Sequence, residues 1–422
     1  MQRKDFNVAI VGGGMCGLAC AIGLTRGGIN VQVFEAASKF DEIGAGVGLG
    51  PNALRALEGL DLLDVVLQKA NEKRPNQRLF CFVTVGGNHE KIYDYYESTS
   101  GEDTDGLGIY RPAFLEALMP LLDPTITQFN KRAVSVEKLE SGRHLLHFPD
   151  NSTYEADLII GADGIKSTTR SAVIGKGASP LGFSNTHAYR GLVPIETLKA
   201  AGVKTDVKRP HNWVGMGQHI ITFPIRDDTI LNIVAFNRPV PNTISEELPH
   251  PWVESVDQKE LLDAYKGCGS EVCAILQHMK NPSRWSIHTL YPPLDSYVKD
   301  RVVLIGDAAH GMLPHLGAGV GQGFEDVYTL CRLLSHPGTN KSTLDAAIAV
   351  YNELRPPRAN MVLQRSIDMG NIYDNYGPGG YTVQGMRERL RGMWEPVWNH
   401  DLEAQVTTAI GELERKNVAE KN

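Results

Sequence analysis

The chain has 422 residues, 42% hydrophobic and 22% charged, with a formal net charge of −7. That balance fits a globular protein of two domains, or of one large domain with an insert, and without a basic run it argues against a nucleic-acid partner. No stretch approaches the roughly 18 apolar residues of a membrane span, so no membrane partner is expected.

The first 35 residues organise the rest. Residues 6–11 (Phe-Asn-Val-Ala-Ile-Val) form a nearly continuous apolar run, as in a strand buried on both faces. Gly12, Gly14 and Gly17 follow at Gly-x-Gly-x-x-Gly spacing and open a small-residue helix, which Gly27 and Gly28 stop. Residues 31–34 read as a second strand ending at Glu35. In such a strand–turn–helix–strand unit the glycines allow a tight turn, close approach of backbone to a pyrophosphate, and close helix–strand packing. The helix start offers free N–H groups to phosphate, and Glu35 can accept from a ribose diol. An acid there suits FAD or NAD rather than NADP, and the motif alone does not choose between the first two. Cys16 and Cys20 fall one helical turn apart, and the six cysteines form no Cys-x-x-Cys pair. Small buried side chains beside a cofactor are expected rather than a metal site, in a reduced, cytoplasmic protein. With the first strand starting so early, no signal peptide is expected.

Residues 42–50, including Ala45, Gly46 and Gly48, are rich in glycine and lead into a helix from about Asn52. So many glycines suit backbone lying against a flat ligand; a flexible loop is the other reading. Residues 78–96 alternate like antiparallel strands. A helix follows with Phe114, Leu115, Leu118 and Met119 on one side, and Arg111 stands just before Pro112 in its first turn. There Arg111 either reaches a phosphate or stands in solvent. Strands are expected around 132–138, 143–148 and 153–160, the last ending in Gly161-Ala162-Asp163-Gly164 with Ser167 and Arg170 beyond. Residues 186–236 read as strands in succession, hence an antiparallel sheet distinct from the opening unit. A polar stretch (238–251) and a helix near 258–279 close this insert. Residues 301–305 form another buried strand, followed by Gly306-Asp307 and the glycine-rich run 317–323, which opens a helix. Helices cover the remainder, with a charged tail past about 412 expected to fray.

Taken in order, the Gly12–Glu35, Gly161–Arg170 and Gly306–Gly323 blocks resemble the single-component flavoprotein aromatic hydroxylases, across essentially the whole chain. The resemblance implies an α/β protein: an FAD-binding Rossmann-type domain of the p-hydroxybenzoate hydroxylase kind, an inserted antiparallel-sheet substrate domain, and a helical C-terminal region. Their expected limits are 1–75, 107–180 and 285–360 for the first, 76–106 and 181–284 for the second, and 361–422 for the third. It further implies that Gly12, Gly14, Gly17 and Glu35 hold the ADP half of FAD. The block with Asp163 lies between the flavin and the nicotinamide path. Asp307 bonds the ribityl chain, and the Gly319–Val320 backbone faces the flavin pyrimidine ring, where a helix N-terminus stabilises negative charge. Ala45, Gly46, Gly48 and Arg111 are the remaining candidate cofactor contacts, and no metal is implied.

A narrower resemblance, to the salicylate 1-monooxygenases in that family, rests on several stretches. They are residues 44–47, Pro51-Asn52-Ala53, Ala188-Tyr189-Arg190-Gly191, residues 219–224, Met312-Leu313-Pro314-His315, Arg355-Pro356 with Arg358-Ala359, and residues 398–402. It implies that NADH reduces FAD, that O2 adds at flavin C4a, and that the ring of a bound phenolic acid attacks the distal oxygen. Attack from the carbon bearing the carboxylate releases CO2 and leaves a catechol. The partner is then a salicylate-like aromatic acid, bound by a monomer or homodimer. By this resemblance His315 is the first choice as the phenol's base, a role that suits a neutral imidazole. The Pro314 carbonyl helps orient the reactants. His219 either lines the pocket or packs in the core, and His310 is structural. Arg190 binds the substrate carboxylate, meets the moving flavin and nicotinamide, or serves as a structural ion-pair partner. Phe223 stands where some phenol-dearomatising relatives carry tyrosine, which favours the salicylate type. No second Gly-x-Gly-x-x-Gly marks a nicotinamide domain. The nearest alternative is a hydroxylase of another phenolic acid, such as a 3-hydroxybenzoate, a hydroxynicotinate or a fungal phenolic metabolite. An NAD-dependent dehydrogenase leaves two of the three blocks unexplained, and a flavin-binding sensor would show no turnover.

Overall fold

The structure, a computed structural model, describes residues 3–40, 46–70, 80–95, 106–175, 177–240, 243–376 and 382–419. Asn7–Val11 is buried from Val8 onward because parallel neighbours flank it on both sides, with Val8 opposite Leu158 in one and Val31 in the other. The six-stranded sheet runs in the order Val298–Lys299, Val302–Leu304, Leu158–Gly161, Asn7–Val11, Asn30–Phe34, Thr127–Gln128. All its pairings are parallel except the one at the Val298–Lys299 edge. Phe34, Val11, Gly161 and Leu304 are register partners across four adjacent strands. The segments that follow them therefore leave the sheet along one edge, which brings the three glycine-containing blocks together. In open α/β sheets this carboxyl edge is where ligands bind.

The insert forms an eight-stranded sheet in the order Val253–Ser255, Ser283–Leu290, Leu181–Pro194, Ile230–Asn237, Gln218–Ile225, His211–Gly215, Cys81–Thr84, Lys91–Asp94. It corrects the expectation of a purely antiparallel sheet in one place: Cys81–Thr84 pairs in parallel with His211–Gly215. Ser283–Leu290 belongs to this sheet, so a boundary drawn at residue 284 passes through a strand. The helix expected near 258–279 is two helices, Gln258–Ala264 and Ser270–Gln277, separated by a segment with Gly267 at φ +94° and Gly269. Leu344–Tyr373 is one continuous 30-residue helix that crosses the boundary expected at residue 360. The charged stretch past 412 is helical through Ala419 rather than frayed.

Separate apolar clusters hold these parts. One packs on both faces of the parallel sheet and includes Ile10, Leu18, Ile159 and Val303. A second backs the insert sheet around Trp213 and Ile233. A third, rich in aromatic rings from Phe82 to Trp398, joins the insert to the C-terminal helices. A small fourth cluster (Ala188, Val234, Phe236, Ile287, Leu313) seats the Leu313 loop on the insert sheet.

Candidate active site between the two sheets

Gly12 has φ +103°, and a Cβ there would stand 2.4 Å from the Ala162 carbonyl oxygen, so only glycine fits where the first block meets the second. A Cβ at Gly17 would stand 2.0 Å from the Gly12 oxygen, which explains how closely the helix approaches the turn. Gly14 caps helix Met15–Arg26 without a side-chain hydrogen bond. Glu35 accepts from the Gly13 N–H at 2.6 Å and the Ala37 N–H at 2.7 Å. Its carboxylate thus also organises the turn it was expected to serve. A cavity of about 290 Å³ opens here, bounded by Gly12, Gly14, Glu35, Arg132, Asp163 and Lys166. Asp163 itself is committed to its own turn: it accepts from the Ser167 and Thr169 hydroxyls and from the N–H groups of Thr168 and Thr169. Arg170 ties the second block to the third through the carbonyls of Ala308 and Asp307, and burial lowers its pKa to about 10.

A second cavity, of about 270 Å³, lies between the sheets. The third block forms one wall, with Asp307 exposed on it and Gly319–Val320 opening the 17-residue helix Gly319–Ser335. Gly46 and Gly48 also line the cavity, and a Cβ at Gly48 would meet nothing within 4 Å. Such a smooth backbone face suits a flat ring. Arg111, the first residue of helix Arg111–Leu118, reaches this cavity, as do Arg190 and Phe223. Arg190 stacks over Trp285 at 4.6 Å, and burial together with nearby Arg111 lowers its pKa to about 10. Ala45, with Glu42 to Gly44, lies outside the described residues.

The third block is held from beneath by buried charges. Arg355 bonds Asp326 at 2.7 Å and Glu325 at 2.9 Å, while Arg358 reaches both Glu325 oxygens. Burial alone would raise Glu325, but Arg355 and Arg358 outweigh it and hold its pKa at about 2. His310 bonds Asp326 at 2.6 Å, which agrees with a structural role.

His315 follows Pro314 in a short 3-10 turn closed by Gly317 at φ +62°. Pro314 is exposed to the cavity, whereas His315 lines it while only 5% exposed, with neither ring nitrogen hydrogen-bonded among the described residues. Burial, then the neighbouring His219 and Arg238, push its pKa well below the usual histidine value, so the ring is neutral near pH 7. His219 does not line the cavity. It is fully buried behind His315, and its Nδ1 lies 2.7 Å from Asp374. Asp374, Arg238 and Gly370 escaped the sequence reading because they stand outside every glycine-rich block. A Cβ at Gly370 would lie 2.4 Å from His315 Cδ2, so glycine in this helix makes room for the ring. A larger cavity of about 400 Å³ lies beyond Tyr110, and both its lysines are paired, Lys69 with Glu116 and Lys208 with Asp228.

The family described as the FAD binding domain matches residues 5–366. The chain belongs to this FAD-binding family. The flavoprotein is 40% identical to a salicylate hydroxylase of Pseudomonas putida, over 98% of the chain and 96% of that enzyme. It is 32% identical to a 6-methylsalicylate 1-monooxygenase of Aspergillus terreus, over 96% of the chain and 91% of that enzyme. A solved salicylate hydroxylase substrate complex superposes with a TM-score of 0.84 at 31% identity, covering 96% of this chain and 98% of that one. The flavoprotein is therefore an FAD-dependent aromatic monooxygenase of the salicylate hydroxylase type. Among the described residues no helix is long and apolar enough to cross a membrane, and no cluster of His, Cys, Asp or Glu could hold a metal.

Proposed function

We propose that the flavoprotein hydroxylates salicylate, or a close ortho-hydroxy aromatic acid, with loss of CO2, forming a catechol at the expense of NADH and O2. The observation that carries this reading is His315, a neutral and hydrogen-bond-hungry imidazole in an otherwise largely apolar cavity beside the glycine-rich wall. When bound, FAD supplies reduction by NADH and activation of O2 for transfer of one oxygen atom to the ring. Gly12, Gly14, Gly17 and Glu35 hold its ADP half, while Asp307, Gly319, Val320, Gly46 and Gly48 take the ribityl and ring portions, with Arg111 at their edge. Asp163 keeps the second block in shape beside the ADP half.

With a ring nitrogen turned to the cavity, His315 accepts the phenol proton, which makes the carbons of the substrate ring better nucleophiles. Arg190 supplies positive charge for the substrate carboxylate, and the Pro314 carbonyl helps orient the ring. Phe223, Ile221 and Val234 exclude water from the reacting face. The substrate thus sits at the junction of the FAD-binding domain and the inserted sheet.

The test is NADH oxidation by the purified holoenzyme with and without salicylate, with catechol, CO2 and H2O2 assayed together and 6-methylsalicylate run in parallel. Equal catechol and CO2 per NADH are expected. Stimulation that yields H2O2 with little catechol would refute salicylate as substrate. His315→Ala is expected to retain FAD and lose most coupled hydroxylation, and an unchanged product yield at every pH would end its assigned role.

A further inference from the structure

Behind His315 lies a buried constellation of His219, Asp374 and Arg238. A carboxylate only accepts, so the 2.7 Å contact between His219 Nδ1 and Asp374 Oδ1 places the imidazole hydrogen on Nδ1 and makes Nε2 the acceptor of the neutral ring. That Nε2 is buried and without a hydrogen-bond partner among the described residues, as are both nitrogens of His315. The two rings meet edge to face with centroids 5.0 Å apart. With His219 held in place, a turn of the His315 ring about its Cβ–Cγ bond would bring one of its nitrogens towards His219 Nε2.

Asp374 is held from three sides. Its second oxygen lies 2.9 Å from Arg238 Nε. Arg238 in turn donates to Asn371 at 2.8 Å, and the Asp374 carbonyl accepts from the Gly217 N–H at 3.0 Å. His219 is also stacked on Phe236, with centroids 4.5 Å apart, which fixes the plane of its ring.

We propose that Asp374 is a positioning residue that makes His219 the proton acceptor behind His315. The proposal rests on the reading of His315 as the substrate's base. Once the His315 ring has turned one nitrogen to the cavity, the phenol proton passes to it, and the hydrogen on the other nitrogen of His315 passes to His219 Nε2. Phenolate then stands in the cavity, His315 is neutral again, and the imidazolium is His219, beside the Asp374 carboxylate. A charge left on His315 would face burial and the cation of Arg238 without any carboxylate in contact. The other titratable groups around the relay are Tyr373 beside both rings, Tyr265 and Tyr376 near Asp374, and Arg111, Arg190 and Asp307 on the cavity. Burial raises Tyr373, so it stays protonated and takes no proton.

The experiment titrates a bound nitro-substituted salicylate by its visible difference spectrum in four FAD-loaded proteins: wild type, His315→Ala, Asp374→Asn and His219→Gln. Asp374→Asn is expected to keep its flavin and to raise the apparent pKa of the bound phenol by about one unit, because it removes the negative partner of the imidazolium. His219→Gln, which keeps a polar group but cannot take up a proton, is expected to do the same. The coupled kcat should fall about tenfold or more in both, with KM little changed. If His315→Ala titrates like wild type, the base assignment itself fails and the relay with it. If His315→Ala shifts the titration while His219→Gln does not, the assignment of His315 stands and the role of Asp374 is overturned. Should Asp374→Asn not fold, the His219→Gln titration decides alone.

Discussion

Substituting Gly370 by alanine separates the geometry of the site from the stability of the fold. The added methyl would begin 2.4 Å from His315 Cδ2 and 2.7 Å from its Nε2, where ordinary contact starts at 3.4 Å. The imidazole therefore has to retreat by about 1 Å, and a displacement of about that size is enough to cost about 100-fold in turnover. Stability is pulled in two directions. Crowding of a packed interior costs about 1–3 kcal/mol, whereas alanine in place of glycine within a helix gains about 1 kcal/mol. The net loss is about 0–2 kcal/mol. The assay compares coupled product formation, FAD content and the urea midpoint of Gly370→Ala with wild type. A hundredfold loss of hydroxylation at full flavin content is expected, with the midpoint lowered by no more than a loss of about 2 kcal/mol gives. Unchanged hydroxylation would refute the claim that this glycine sets the position of His315.

Gly12→Ala forces a left-handed backbone and a clash with the Ala162 carbonyl at 2.4 Å, so the protein should purify with little FAD, measured from its visible absorbance. Arg355→Met leaves Glu325 and Asp326 short of a buried cation and should destabilise the fold by about 3–5 kcal/mol; an unshifted urea midpoint would count against the network. Stability should also depend on acid in a defined direction. Glu325 has a folded pKa near 2, below its unfolded value, so its contribution is complete above about pH 4.5 and is lost as pH falls towards 2. A urea midpoint that stays constant from pH 5 to pH 3 would contradict this. Because burial depresses the pKa of His315, its protonation should not limit turnover at neutral pH, and a kcat profile whose acid limb has its midpoint above pH 6.5 would contradict the assigned neutral state.

The nucleotide half of the molecule was legible because its constraints are local. Gly12, Gly17 and Gly317 owe their identity to turns formed within a few residues, or to one neighbouring turn, and the strands they follow are short apolar runs. The insert sheet was legible as strands but not as pairings: that Cys81 lies opposite His211 depends on partners far apart in the chain. His315 was found because it sits in a glycine-rich block, whereas its supports were not. Asp374 reads as one more polar residue after a helix, and Arg238 as the start of a polar stretch. Only the packing of the long helix against strand Gln218–Ile225 turns them into a buried ion pair beside His219.

The alignment of Phe34, Val11, Gly161 and Leu304 across the parallel sheet also sets when the cofactor can matter to the growing chain. At ribosomal speeds of about 5–20 residues per second, Leu304 is made about 15–60 seconds after Val11. The Gly12 turn can fold early, but the wall carrying Asp307 and Gly319 does not yet exist, and neither does the long helix whose arginines neutralise Glu325 and Asp326. Flavin therefore cannot template the early stages of folding; it is a ligand for a nearly finished protein. Its capture marks the end of assembly, and a chain interrupted before the long helix should emerge colourless however well its first hundred residues have folded.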